Sequence, residues 1–256
     1  MEIKQIEKYI NTLFDTTENK FFFEQSGITV KGNRDINRIG YCMNLTMETV
    51  EKAKKSNVDL MITHHDAWDF LYELQDECRK KLKEYGISHY YNHLPLDDCK
   101  FGTNDSLLKK LGLRMTERTH EYEGFYCGRV AEFDTEISFN TLVQKMEGLL
   151  GEPVQAWKFN ERKVKRVCIV CGGGADTPSL KEADEKECDV YITGEKVLYT
   201  IQYAQFRKLN LIIGSHTFTE LFGIESLAMK IKDKYGNLEI IRLEEAHLEA
   251  KEQFVK

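Results

Sequence analysis

Strand-then-helix alternation along most of the 256 residues predicts an α/β protein. The expected architecture is two α/β lobes with mainly parallel sheets flanked by helices, and a metal cleft between them. Three observations lead there. Short, predominantly apolar runs such as Val58–Thr63, Val164–Val170 and Leu209–Ile213 have the length and composition of buried parallel strands. Segments with apolar residues at helical spacing lie between them. Histidine and carboxylate side chains then collect where several of the strands end, the place where open α/β sheets hold ligands.

The elements follow in order. Ile3, Ile6, Ile10 and Leu13 recur on one helical face, and Asp15–Asn19 ends that helix. Phe21–Phe23 and Ile28–Val30 read as short extended pieces, and Ile39–Asn44 as a strand. Thr46 caps a helix with Val50 and Ala53 inward and Lys52, Lys54 and Lys55 outward. The strand Val58–Thr63 runs into His64-His65. A helix over about 69–85, a strand at Ile87–Tyr91 and a polar loop with His93, Asp97 and Asp98 come next. Thr103–Asp105 opens a helix that stops at Leu111-Gly112-Leu113, with Gly112 suited to the left-handed position after a helix. Residues 114–124 are polar and charged and are taken as a lobe boundary. Strands at 125–133, 164–170, 189–194 and 209–213 then alternate with helices, and the last strand leads into Gly214–Glu220. The division expected is 1–115 plus 211–256 as a first lobe carrying the metal ligands, and 116–210 as a second lobe.

Composition removes several classes of function. A net charge of −6 with no long basic stretch argues against a nucleic-acid backbone partner. No apolar run is long enough to cross a bilayer, and the N-terminal residues lack the layout of a signal peptide, so no membrane partner and a cytoplasmic location are expected. Seven cysteines without a framework spacing read as free thiols, and Cys168-x-x-Cys171 has no second pair to make a zinc ribbon.

The chemistry-bearing residues form three clusters. Adjacent His64 and His65 leave a strand pointing in different directions, which suits two neighbouring metals better than one. His93-x-x-x-Asp97 follows the next strand, and a turn rich in Pro and Asp is its plain alternative. His216 and Glu220 are four apart and share a helical face; Thr217-x-x-Glu220 also fits a capping box, in which the glutamate serves only a backbone N–H. Three imidazoles and two carboxylates suit zinc, iron or manganese, and two such ions would activate water. His93 is left as the candidate catalytic group, with His89 another pocket candidate. Gly172–Gly174 could cradle a phosphate, but it lacks the spacing of a P-loop or dinucleotide fingerprint, and a plain tight turn is the favoured reading. Trp68 follows the histidine pair closely enough to line a pocket.

The ordered set Ile62-Thr63-His64-His65, His93-x-x-x-Asp97, Gly102-Thr103-Asn104-Asp105, Cys171–Gly174, Asp189–Gly194 and His216-x-x-x-Glu220 resembles the Nif-three-like family, whose members carry names such as GTP cyclohydrolase 1 type 2 homolog. The resemblance implies two divalent metal ions per chain held by His64, His65, Asp97, His216 and Glu220, with Glu220 bridging. It also implies a toroidal homohexamer. Asp66 stands where members usually carry proline, Glu195 where aspartate is common, and Lys196–Thr200 lacks the usual histidines. Two functions are expected to compete. One is a metal-dependent hydrolase of a nucleotide-like or phosphate-containing small molecule, of the GTP cyclohydrolase type; the other is a non-enzymatic metal-loaded scaffold or regulatory interaction protein.

Overall fold

A computed structural model describes residues 1–249. The chain forms two compact units, Met1–Gly102 with Gly223–Glu245, and Thr103–Phe222 with the described residues from Ala246 onward.

The first unit is built on a five-stranded sheet. Its strands are β1 (Ser26–Val30), β2 (Arg38–Asn44), β3 (Leu60–His65), β4 (Ser88–Asn92) and β11 (Glu239–Arg242), in the order β1-β4-β3-β2-β11. Only β1 runs antiparallel to its neighbour. Helices α1 (Ile3–Asn11), α2 (Met47–Lys55) and α3 (Leu74–Tyr85) accompany it. Thr46 caps α2 as expected: its hydroxyl accepts the Thr49 N–H. The side chains of β3 are buried from Leu60 to His65, and Val50, Ala53, Val58, Met61 and Leu82 join one apolar core. Burial on both faces of the sheet explains why Leu60-Met61-Ile62 of β3 reads as an apolar run without polar alternation.

The second unit carries β5 (Arg114–Tyr122), β6 (Phe125–Ile137), β7 (Gln155–Trp157), β8 (Val164–Val170), β9 (Val190–Thr193) and β10 (Asn210–Ile213), in the order β5-β6-β8-β9-β10-β7. Only β8-β9 and β9-β10 pair in parallel, so this sheet is mixed rather than mainly parallel. Its helices are α5 (Thr103–Leu111), α6 (Phe139–Leu150), α7 (Thr177–Glu185) and α8 (Leu198–Arg207). Helix α9 (His216–Lys234) begins in the second unit, and its residues from Gly223 on belong to the first. No helix among the described residues is long and apolar enough to cross a membrane.

Other sequence expectations need correction too, and the polar loop expected around Asp97 is a short helix, Leu94–Asp98. Phe22–Glu24 forms a short 3-10 turn rather than an extended piece. The helix expected from residue 69 starts at Leu74, because Glu73 takes a left-handed φ of 67° and breaks the preceding turn. Residues 114–122, expected as a polar boundary, are the edge strand β5; of its side chains only Thr119 is buried, so it lacks the apolar alternation that marks a half-buried strand. Residues 103–115, 211–222 and 246–249, expected with the first lobe, sit in the second unit, where β10 pairs with β9 and β7.

The same staple fixes the parallel register in each unit. Asp59, just before β3, accepts the N–H groups of Asn37 and Arg38 at 3.0 Å each, while its own N–H donates to Arg38 O. Asp189, just before β9, accepts the N–H groups of Lys165 and Arg166 at 2.9 and 3.0 Å, and its N–H donates to Arg166 O. All seven cysteines are free thiols, and all but Cys99 are buried.

His89 on β4 is buried between two threonines. Thr63 Oγ1 donates to His65 O at 2.6 Å, so the His89 Nε2–H must donate to Thr63 Oγ1 (2.8 Å) and its Nδ1 accepts from Thr29 Oγ1. Burial, assisted by the Arg79 charge, pushes its pKa down to about 3. The folded protein therefore keeps His89 neutral while the unfolded chain protonates it near the ordinary histidine value, so its contribution to stability is full above about pH 6.5 and declines as pH falls toward 3. Relative to His89→Gln, the wild-type unfolding free energy is expected to drop by about 2–3 kcal/mol more between pH 6 and pH 4, read from urea titrations. Parallel pH profiles would refute the neutral assignment.

Candidate metal centre

In the first unit β3 delivers His64 and His65, and β4 leads directly to His93 and the short helix α4 (Leu94–Asp98) that carries Asp97. His64 and His65 are buried, as is Asp97. Each imidazole is oriented through Nδ1. His64 Nδ1 donates to Asn92 O at 2.8 Å, His65 Nδ1 to Asn44 Oδ1 at 2.8 Å, and His93 Nδ1 to Gln25 Oε1 at 2.9 Å. The Asn44 amide cannot be reversed, because its Nδ2 donates to Glu245 Oε1 at 2.9 Å, and Glu245 also accepts the N–H groups of Met43 and Asn44. Burial raises the Glu245 pKa, with these hydrogen bonds opposing it.

With Nδ1 turned to these acceptors, Nε2 is the nitrogen each ring directs away from its support, the arrangement in which imidazole ligates metals. A donor atom from each of His64, His65 and His93 falls within one group spanning no more than 4.8 Å. His64 Nε2 lies 3.4 Å from Asp97 Oδ1. A nitrogen lone pair and a carboxylate oxygen at that distance repel unless positive charge is placed with them.

The second unit presents an analogous pair. His216, the first residue of α9, has Nδ1 2.7 Å from Glu195 Oε1 and Nε2 3.3 Å from Glu220 Oε2. Burial opposes charge on this ring, but the Glu220 charge and hydrogen bonds to Glu195 and Glu220 prevail and push its pKa up to about 11. The hydrogen bond from His216 in turn lowers the Glu195 pKa. A proton thus occupies the position that a metal cation would take. The donor sets of both units fit divalent cations on this chemistry.

The glycine turn after β8 exists to admit these side chains. Gly172 has φ +66°, and a Cβ there would overlap the Glu220 carboxylate and come 2.8 Å from His216 Nε2. Its N–H donates to Thr219 Oγ1, and its carbonyl accepts the N–H groups of Gly174 and Gly194 and the Thr193 hydroxyl. With the Gly172 and Gly174 amides donating inward, the turn is a tight turn rather than a phosphate cradle. The capping box at Thr217–Glu220 is likewise replaced: Ser215 Oγ accepts the Phe218 N–H at 3.2 Å, which makes Ser215 the cap and sets Glu220 a turn further along the helix.

Asp66 and Glu195, two of the departures from the family pattern, both have structural partners. Asp66 binds Arg79 and Gln75 and accepts the Ala67 N–H, anchoring the loop that follows the histidine pair. Trp68 in that loop packs 4.8 Å from the His65 ring and stacks on Phe70, so it lines the histidine cluster, while Tyr72 is 93% exposed. The motif Gly102–Asp105 is structural. Asn104 joins Cys127 O to Cys171 N–H, and Asp105 pairs with the buried Arg129 at 2.6 Å. Sequence reasoning missed Gln25, Asn44 and Glu245. Asn44 alone left a trace, as a polar residue ending the strand in register with His65.

A model of the Duf34/NIF3 (NGG1p interacting factor 3) family matches residues 1–247. This chain belongs to the Duf34/NIF3 family. A family relative from Pyrococcus horikoshii, named a GTP cyclohydrolase 1 type 2 homolog, is 34% identical over 218 residues, covering 83% of this chain and 86% of the relative. Among solved structures, reduced HcgD from Methanocaldococcus jannaschii aligns at a TM-score of 0.79 and 25% identity over 96% of this chain and 98% of that one. Protein ybgI, of unknown function, aligns at 0.85 and 22% identity over 96% and 99%. These likenesses agree with two mixed α/β sheets flanked by helices as the Duf34/NIF3 fold of this chain.

Gly172→Ala combines left-handed backbone strain with the overlap at Glu220 and is expected to lower the unfolding free energy by about 1–3 kcal/mol. Gly148, inside α6 with open space where a Cβ would stand, supplies the control: Gly148→Ala should raise it by about 0.5–1 kcal/mol. Urea unfolding of both variants checks the contrast, and equal effects would contradict it.

Proposed function

We propose that the two donor sets serve one dinuclear centre. His64, His65 and Asp97 from the first unit would act with His216 and Glu220 from the second to hold two divalent cations. The observation that carries this reading is the repeated pair, His64 Nε2 to Asp97 at 3.4 Å and His216 Nε2 to Glu220 at 3.3 Å, each imidazole fixed from behind through Nδ1. Zinc, iron and manganese all suit imidazole–carboxylate ligands. A pair of such cations supplies Lewis acidity, lowering the pKa of water and neutralising developing charge on a phosphoryl or carbonyl oxygen.

The reaction favoured is hydrolysis of a nucleotide-like or phosphate-containing small molecule, in line with the name given to the Pyrococcus relative. Glu195 holds the His216 ring in position, and Asn44 holds the His65 ring. His93, steered by Gln25, is the residue assigned to accept and return a proton at Nε2. Trp68 and the buried walls of β3 keep bulk water from the histidine cluster. The toroidal hexamer implied by the family resemblance belongs to the same proposal and is checked by light scattering. A non-enzymatic scaffold is the second reading, favoured by the description of the family as an interacting factor.

Purified protein should contain up to two equivalents of metal by elemental analysis, and His64→Ala and Glu220→Ala should each lower that content. Unchanged content in both variants would sink the dinuclear centre. Turnover of GTP and of generic phosphoesters should fall at least about a hundredfold in His64→Ala, the scale on which loss of a metal ligand or its support acts. Equal rates in variant and wild type would leave the scaffold reading in possession.

A further inference from the structure

The first turn of α9 is held by a segment far along the chain. Glu249 Oε1 accepts the His216 N–H at 3.0 Å, and its Oε2 accepts the Thr217 N–H at 3.3 Å. Glu152, whose side chain is buried, accepts the Ser215 N–H at 3.0 Å through Oε1 and the His247 Nδ1–H at 2.7 Å through Oε2. The His247 ring lies flat on Phe218, with centroids 3.8 Å apart and planes within 8°. With Ser215 Oγ on the Phe218 N–H, four successive amides at the helix start have acceptors, two of them supplied by Glu249.

We propose that docking of residues 246–249 and cation binding at His216 and Glu220 are thermodynamically coupled, so that each strengthens the other. The proposal rests on the metal reading above. Its first ground is position. His216 opens α9 and Glu220 lies one turn on, so fraying of the first turn moves one ligand relative to the other. Its second ground is electrostatic. A helix N-terminus carries roughly half a positive charge, which opposes a cation bound by the first residue of that helix. The Glu249 carboxylate lies on those same amides and cancels that charge. Undocking the segment would therefore loosen the ligands and expose the cation to a repulsive dipole. By linkage, a bound cation must hold the segment down by the same factor.

The experiment uses the full chain with Zn²⁺ as the probe, its affinity measured by chelator competition for wild type, Glu249→Gln and Glu249→Ala. Glu249→Ala is expected to weaken Zn²⁺ about tenfold, the scale of losing a helix cap, and Glu249→Gln, which keeps an acceptor but no charge, should fall between. Hydrogen exchange at amides 215–219 and 246–249 should slow on adding Zn²⁺ in wild type and much less in Glu249→Ala. A role confined to folding would lower the melting temperature of the metal-free variants and leave the Zn²⁺ affinity untouched, which overturns the coupling. Wild type that fails to bind Zn²⁺ overturns the metal reading itself, a result distinct from wild-type binding that Glu249→Ala leaves unaltered.

Discussion

Each imidazole of the candidate centre is set by the hydrogen bond at its back. A histidine that could rotate, or exchange its two nitrogens, would present a donor to a cation in one state and a proton in the other. Asn92 O, Asn44 Oδ1 and Gln25 Oε1 remove that freedom for His64, His65 and His93, and Glu195 does so for His216. The control extends inward. Glu245 fixes which way Asn44 faces, and the Thr29–His89–Thr63 relay ends on the His65 carbonyl. Buried polar groups of this kind stabilise only when every member is satisfied, and here the backing relay is satisfied in a single tautomeric arrangement.

The second unit reaches the same end by backbone means. A left-handed glycine without a side chain lets the Glu220 carboxylate and the His216 ring approach the chain that leaves β8, and the Gly172 carbonyl gathers three donors that lock the turn. The glycine run is thus a space requirement. Its resemblance to an anion cradle arises because both uses need a close backbone approach, one to a ligand and the other to protein atoms.

The sequence revealed the α/β alternation and the histidines at strand ends because both rest on short-range patterns: strand length, helical spacing and residue type at an exit. Thr46 and Gly112 were legible for the same reason, since capping chemistry is local. Sheet order was not, and neither was membership of β10 in the second sheet, because pairing is decided by contacts between distant residues. Edge strand β5 was hidden by its polar face. The Glu220 alternatives turned on helix register: a start one or two residues earlier makes Ser215 the cap, and that displacement is within the ordinary uncertainty of a helix end. Gln25, 68 residues from His93, left no local trace at all.

The aspartate clamps at the foot of β3 and β9 have a bearing on how the chain assembles. Parallel strands are kinetically disfavoured, since a long loop must close before any ladder forms. Asp59 and Asp189 reach amides only 21 to 24 residues away, so in each unit one side chain can gather two neighbouring strands as soon as a single helix separates them. Each unit thereby has a short-range tie of its own, which lets the halves of the protein begin to order independently during synthesis, before the residues that complete either sheet have left the ribosome.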